Sequence, residues 1–328
     1  MAESPRLTRE LVVAAYELLL GRPPESEAAI AHQLSVPELD AAGLGLRFIR
    51  SPEFRQRFAT LTADLPAAGS APRQPPLFLG DRVLAENWRG RRLYLLPQDL
   101  DLTPTLLQDG RWKPRVEATL ARLVRRGQWV ADVGANIGAF TLALAEAVGP
   151  EGLVDAFEPN PAAARLLAAT LHVNGLGGYV RLHPQAALDR SGSAGFAMVP
   201  DHGASGTLLP ASTLHTERLS VPTVRLDEAL AHCPALDLLR LDANGSEMLA
   251  LRGGESLLGR SAELVVVSAW AMGLLRARGD VAAQLAWLGD MGFRAWWLNA
   301  EAGLEPVALE ALLAMPDGEV AFSRRPPG

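Results

Sequence analysis

The stretch from Trp129 to Glu158 limits the architecture of this chain more than any other. Trp129-Val-Ala-Asp-Val is a short apolar run, Gly134-Ala-Asn-Ile-Gly138 a glycine-bearing turn, Phe140 to Val148 an apolar segment of helical length, and Leu153 to Phe157 a second short run ending on Glu158. Strand, turn, helix, strand and terminal acid in that order predict one half of a nucleotide-type fold. Gly134 and Gly138 let the backbone approach a ligand closely, the helix N-terminus offers free N–H groups, and a carboxylate at the tip of the second strand can accept both hydroxyls of a ribose. Glu158 follows Gly138 by twenty residues, as such a crossover requires.

Two cofactors suit this geometry. A dinucleotide sets its pyrophosphate on the glycine turn and favours G-x-G-x-x-G, which D-V-G-A-N-I-G at 132–138 is not. S-Adenosylmethionine carries no phosphate, and a fold that binds it keeps a carboxylate just before the first glycine to organise the methionine end, where Asp132 sits. The turn favours S-adenosylmethionine, and a nicotinamide-dependent oxidoreductase is the alternative.

Composition removes other classes. A single cysteine, Cys233, excludes an intrachain disulfide and a cysteine-cluster metal site, and no metal is expected. The longest uncharged apolar stretch, Leu264 to Leu275, has twelve residues, whereas a spanning helix needs about 18. Glu3, Arg6, Arg9, Glu10 and Glu17 interrupt every early apolar run, so neither a membrane span nor a signal peptide is expected and the cytoplasm is the default location. Residues 1–126 carry 18 basic against 15 acidic side chains and residues 127–328 carry 13 against 22. That acidic balance is the wrong electrostatic footprint for a nucleic-acid partner. The early basic groups, Arg89, Arg91 and Arg92, then Arg111, Lys113 and Arg115, stand among acids and prolines and read as a solvated face. Lys113 is the only lysine beside thirty arginines, a ratio that reads as base-composition bias.

The first sixty residues read as a small helical bundle. Thr8 can cap a helix with Leu11, Ala14, Ala15, Leu18 and Leu19 on one face, stopped by Gly21, Pro23 and Pro24. A second helix is expected over Glu25 to Leu34, a third from the Ser35/Glu38 capping box, and a fourth from Ser51-Pro52-Glu53, with Tyr16, Phe48, Phe54 and Phe58 as core aromatics. The proline, alanine and glycine of residues 63–80 predict a linker. The expected organisation is a helical domain at 1–62, a linker at 63–80 and a second domain at 81–328. A-A-Y-E-L-L-L-G-R-P-P at 14–24, with F-I-R-S-P-E-F-R at 48–55, resembles the helical domain of unknown function, related to phycobilisome linkers, that accompanies many bacterial glycan-modifying enzymes. The aromatic Y-W that often lies between those blocks is missing.

The second domain carries a closer resemblance. D-V-G-A-N-I-G at 132–138, F-E-P-N-P at 157–161, N-G at 174–175, A-A-L-D at 186–189 followed by Gly192, and R-L-D-A-N-G-S-E at 240–247 resemble, in order and spacing, the FkbM-type methyltransferases. That family uses S-adenosylmethionine and acts largely on hydroxyls of sugars and natural products. The resemblance implies an α/β fold, a Rossmann-like class I methyltransferase with a doubly wound, mostly parallel sheet, whose last strands lie near Arg294 to Leu298 and Glu319 to Ser323. It also implies that Asp132, Gly134, Ala135, Asn136, Ile137, Gly138, Glu158 and Ala186 hold the cofactor.

One departure bears on chemistry. The family's late block usually reads K-I-D-V-E-G-x-E; here Arg240 takes the lysine place, Asp242, Gly245 and Glu247 match, and Asn244 replaces the first glutamate. An asparagine can hold a hydroxyl but cannot take its proton. A sugar hydroxyl attacks a methyl group only once its proton is accepted, by a carboxylate or imidazole within about 2.6–3.2 Å. Asp242 is the expected base, Asn244 an acceptor-positioning residue, and His202 and His215, in the insertion from Gly195 to Leu219, are the other candidates. A non-catalytic S-adenosylmethionine-binding or scaffold protein is the rival reading. Trp270, Trp287, Trp296 and Trp297 gather late in the chain as core or as platforms for sugar rings, His172 is expected in solvent, and Cys233 is expected to be inert. The partner implied is a small-molecule or glycan acceptor.

Overall fold

A computed structural model describes residues 7–20, 22–37, 39, 44, 47–48, 51, 53, 73–198, 206–208 and 218–327. The chain divides into two compact units, Met1–Ala71 and Pro72–Gly328.

In the first unit Thr8 accepts a hydrogen bond from the Leu11 amide and caps α1 (Arg9–Ala15), as its sequence predicts. The buried face differs from the expected one. Leu11 is 39% exposed, while Val12, Tyr16 and Leu20 are buried. A π-helical turn over Tyr16–Leu20 continues α1. The second helix, α2 (Glu27–Leu34), begins at Ser26, whose hydroxyl accepts from the Ala29 amide. Tyr16 and Phe48 meet edge to face at 4.7 Å in this small core. Glu38, Phe54 and Phe58 lie outside the described residues.

The second unit begins inside the stretch expected to be a linker. The Arg73 guanidinium donates to the carbonyls of Glu86 and Leu106, at 3.3 and 3.0 Å. Strand β1 (Leu77–Phe78) pairs antiparallel with β2 (Val83–Glu86), and β2 pairs with β3 (Arg92–Leu95). Helices α3 (Leu102–Asp109) and α4 (Pro114–Leu123) follow. The alternating part runs β4 (Trp129–Val133), α5 (Ala139–Val148), β5 (Leu153–Phe157), α6 (Pro161–Val173) and β6 (Val180–His183). Next come β7 (Ala186–Ala187), β8 (Gly192–Met198), β9 (Gly206–Leu208) and β10 (Arg218–Val224), which form a separate sheet in the order β7-β10-β8-β9. The rest is α7 (Leu226–Ala229), β11 (Leu238–Leu241), α8 (Glu247–Gly253), α9 (Glu255–Arg260), β12 (Val265–Trp270), α10 (Met272–Arg276), α11 (Val281–Asp290), β13 (Arg294–Leu298), β14 (Leu304–Val307) and β15 (Gly318–Ser323).

The main sheet has the order β14-β13-β15-β12-β11-β4-β5-β6. Strands β6, β5, β4, β11 and β12 are parallel, and β15 runs antiparallel between β12 and β13. This is a doubly wound Rossmann-like sheet. Alternation along each strand feeds two cores: Val130, Val154, Ala156 and Leu238 pack on one face with α4, α5 and α6, and Ala131, Val133, Leu239 and Val266 pack on the other. The chain order reverses between β4 and β11, the place where open α/β sheets keep their ligands. No helix among the described residues is long and apolar enough to cross a membrane.

Candidate active site

A solvent-open cleft lies at the carboxyl ends of β4, β5 and β11. Its first corner is the 134–138 turn, closed on itself by hydrogen bonds. The Gly134 and Ala135 amides both donate to the Phe157 carbonyl at 3.0 Å, and the Gly138 amide donates to the Ala135 carbonyl at 2.9 Å. The Asn136 amide donates to Glu158 Oε2 at 2.8 Å, and the Ile137 amide to Asn136 Oδ1 at 2.7 Å. All five turn amides are thereby satisfied within the protein. Gly134, at φ +79°, is fixed by contact as well as by backbone, because an added Cβ would sit 2.0 Å from the Asp242 carbonyl oxygen.

Glu158 takes one amide on each carboxylate oxygen, Asn136 on Oε2 and Asn160 on Oε1 at 2.7 Å. Each oxygen keeps a lone pair for a ligand. Burial pushes its carboxyl up to about 7, and the two amides offset only part of that.

The second corner is a row of charges on one face of the sheet. Asp132 of β4 and Arg240 of β11 are register partners, and Asp242 and Glu319 share that face by strand alternation. Arg240, 3% exposed, lies over the Phe140 ring at 4.1 Å; its Nη2 donates to Asp242 Oδ2 at 2.6 Å and its Nη1 lies 3.4 Å from Asp132 Oδ1. Thr141 donates to the other Asp132 oxygen at 2.7 Å. Lys113 Nζ reaches the same Asp242 Oδ2 at 3.0 Å and Glu319 Oε1 at 2.9 Å. Burial pushes Asp242 up, but Arg240 and Lys113 outweigh it and hold the carboxyl below the usual range. Burial works against Lys113, yet Asp242 and Glu319 keep its ammonium more firmly protonated than usual.

Of the residues marked by sequence, Gly134, Asn136, Glu158, Ala186, Asp242 and Asn244 line the one cleft. Asp132 is not among the lining residues: it is fully buried, with its Oδ1 3.4 Å from Arg240 Nη1. Ala135 and Ile137 belong to the core under α5, and Gly138 packs against Leu167, its absent Cβ leaving room for that side chain. His202 and His215 lie outside the described residues. The insertion holding them contributes strands of the second sheet, and Phe196 of β8 reaches the cleft. Trp270 and Trp296 are core residues, Trp287 lies under the Arg252 guanidinium at 3.9 Å, and none of the four late tryptophans is among the cleft's lining residues. His172 is exposed, and burial pushes the Cys233 thiol up to about 11.

Sequence reasoning missed Lys113, Glu319, Gln185 and Phe196. Lys113 does not belong to a solvated face, and Arg89 and Arg111 enclose the Trp88 ring at 4.5 and 4.1 Å. The signal available for Lys113 was its rarity: in a chain that otherwise uses arginine, one lysine marks a place for a compact charge.

Residues 132–294 match the family model of the methyltransferase FkbM domain. Among solved structures the chain is similar to a protein described as an rRNA methylase from Clostridium thermocellum, at 12% identity over 66% of this chain and 98% of that one (TM-score 0.42). It is also similar to an S-adenosylmethionine-dependent O-methyltransferase from Thermotoga maritima, at 14% identity over 76% and 84% (TM-score 0.37). A third is the precorrin-6y C5,15-methyltransferase from Geobacter metallireducens, at 15% identity over 64% and 86% (TM-score 0.37). No curated protein matches the chain.

Proposed function

We propose that this protein is an S-adenosylmethionine-dependent O-methyltransferase whose acceptor is a hydroxyl of a sugar, a glycan or a glycosylated metabolite, acting in the cytoplasm. The observation that carries the cofactor assignment is the closed turn. Its five main-chain amides are engaged internally, so the turn has no free main-chain donor for a pyrophosphate, while Glu158 keeps acceptor capacity for two ribose hydroxyls. That fits a nucleoside without phosphate and disfavours a dinucleotide. When bound, S-adenosylmethionine supplies an electrophilic methyl group on a positive sulfur.

The protein's share is positioning and proton handling. Glu158 and the turn would hold the nucleoside end, and Ala186 would border it. Asp242, beside Asn244 at the other side of the cleft, would receive the acceptor hydroxyl. During transfer the acceptor's O–H proton would pass to Asp242 and then to solvent. A carboxylate held ionised by two cations is in the right state to accept the hydroxyl's hydrogen bond, to orient its oxygen and to take its proton. Asn244, at φ +48°, holds the acceptor without taking its proton.

The test is methyl transfer to a panel of sugars and glycosides, with release of S-adenosylhomocysteine as readout. Wild type should transfer to at least one hydroxyl, and Asp242→Asn should lose about 10²–10⁴-fold in turnover with cofactor affinity nearly unchanged. Transfer to nitrogen acceptors only, or full turnover in Asp242→Asn, would overturn the acceptor side of this reading.

A further inference from the structure

Lys113 and Glu319 both lie outside the 132–294 segment matched by the methyltransferase model, yet they complete the charge row at the cleft. Lys113 and Arg240 converge on one oxygen, Oδ2 of Asp242, at 3.0 and 2.6 Å. Oδ1 makes no hydrogen bond among the described residues, and Asp242 lines the cleft. The last torsion of an aspartate is broad and nearly two-fold when nothing restrains it. Two cations on the same oxygen, one from β11 and one from the residue before α4, remove that freedom.

The choice of lysine is physical as well. The space between Asp242 Oδ2 and Glu319 Oε1 is bridged by a single nitrogen with bonds of 3.0 and 2.9 Å, a task for a point charge and not for the flat fork of a guanidinium. The chain uses arginine at thirty positions and lysine at this one. Lys113 also holds a left-handed backbone at φ +42° directly before Pro114, a costly conformation that aligns α4 and its own side chain together.

We propose that Lys113 is a positioning residue for methyl transfer: it ties Asp242 through Oδ2 to Glu319, so that Oδ1 alone meets the acceptor hydroxyl. This rests on the reading of Asp242 as the acceptor-side carboxylate. The charged groups around Asp242 are Arg240 on its own strand, Lys113 before α4, Glu319 of β15, Asp132 of β4 and Glu247 of α8. Removing the ammonium leaves three acids and one guanidinium around Asp242, so its carboxyl must rise.

The full-length protein carrying ¹³C-labelled aspartate carboxyls tests this, with the Asp242 signal assigned by its loss in Asp242→Asn. Lys113→Met should raise the Asp242 midpoint by about one pH unit or more, a tenfold change in proton affinity. It should carry the acidic limb of kcat upward with it, lower kcat about tenfold or more, and leave S-adenosylmethionine affinity within about twofold. Lys113→Arg keeps the positive charge, so the midpoint should stay near that of wild type, while kcat stays lowered because the guanidinium fork does not bridge both oxygens through one nitrogen. The double variant Lys113→Met/Glu319→Gln removes one charge of each sign and serves if Lys113→Met alone does not fold. An unmoved midpoint in Lys113→Met, or a moved midpoint with wild-type kcat and pH profile, overturns the proposal. Full turnover in Asp242→Asn instead sinks the reading beneath it, so the two failures are distinguishable.

Discussion

Replacing Glu158 perturbs the cofactor corner in a way whose pH dependence follows from its surroundings. Burial lifts its carboxyl from 4.5 to about 7, and at about 1.4 kcal/mol per pH unit the ionised form costs the ligand-free folded protein about 3 kcal/mol above pH 7. Because the folded value lies above the unfolded one, this contribution to stability is complete below 4.5 and is lost as pH rises through 7. Glutamine has no such loss, but its amide can accept from only one of the Asn136 and Asn160 amides. The other buried N–H is left unpaired, at about 1–3 kcal/mol. Glu158→Gln should therefore be less stable than wild type near pH 5 and should draw level or pass it near pH 8, read as urea midpoints. Wild-type affinity for S-adenosylmethionine should climb over the same range as the carboxylate ionises, and that of Glu158→Gln should stay flat. Glu158→Ala should bind about tenfold more weakly or worse, a loss of about 1.5–3 kcal/mol. A stability gap between wild type and Glu158→Gln that is equal at both pH values, or wild-type affinity in Glu158→Ala, refutes the reasoning.

Gly134→Ala would set its Cβ 2.0 Å from the Asp242 carbonyl oxygen at a left-handed φ, so the urea midpoint should report a loss of about 3 kcal/mol and cofactor titration should fail. Asn244→Glu puts the family's usual carboxylate on a backbone at φ +48°; the strain of about 1–2 kcal/mol should lower Tm by a few degrees. If only this variant transfers methyl groups while wild type transfers none, the wild type is a non-catalytic binder. A chain starting at Pro72 should keep cofactor binding, whereas one starting at Asp81 loses β1 and the Arg73 bonds to Glu86 and Leu106 and should melt lower; equal melting would restore the boundary at residue 81.

Much of the α/β part was legible because its signals are local. The 129–158 run encodes two strands, a helix and the acid that caps them, and the observed elements fall where the apolar runs place them. The glycine turn and Glu158 meet because strand order in such a fold brings adjacent strand tips together. What sequence could not show depends on register and on contacts across long separations. Asp132 is marked by its place before the first glycine, but its pairing opposite Arg240, 108 positions later, follows only from the register of β4 and β11. Lys113 and Glu319 stand 206 positions apart and meet only when β15 inserts antiparallel beside β12. In the helical unit the 3.6-residue spacing named Leu11 for the core, whereas Val12 is the buried residue and Leu11 is 39% exposed.

The central claim is that the closed turn and Glu158 hold an S-adenosyl nucleoside and not a dinucleotide. Paired calorimetric titrations of the full-length protein, one with S-adenosylmethionine and one with NAD, test it most directly. One mole of S-adenosylmethionine per mole of chain, with no heat from NAD, is the predicted result; saturable binding of NAD with none of S-adenosylmethionine would contradict it.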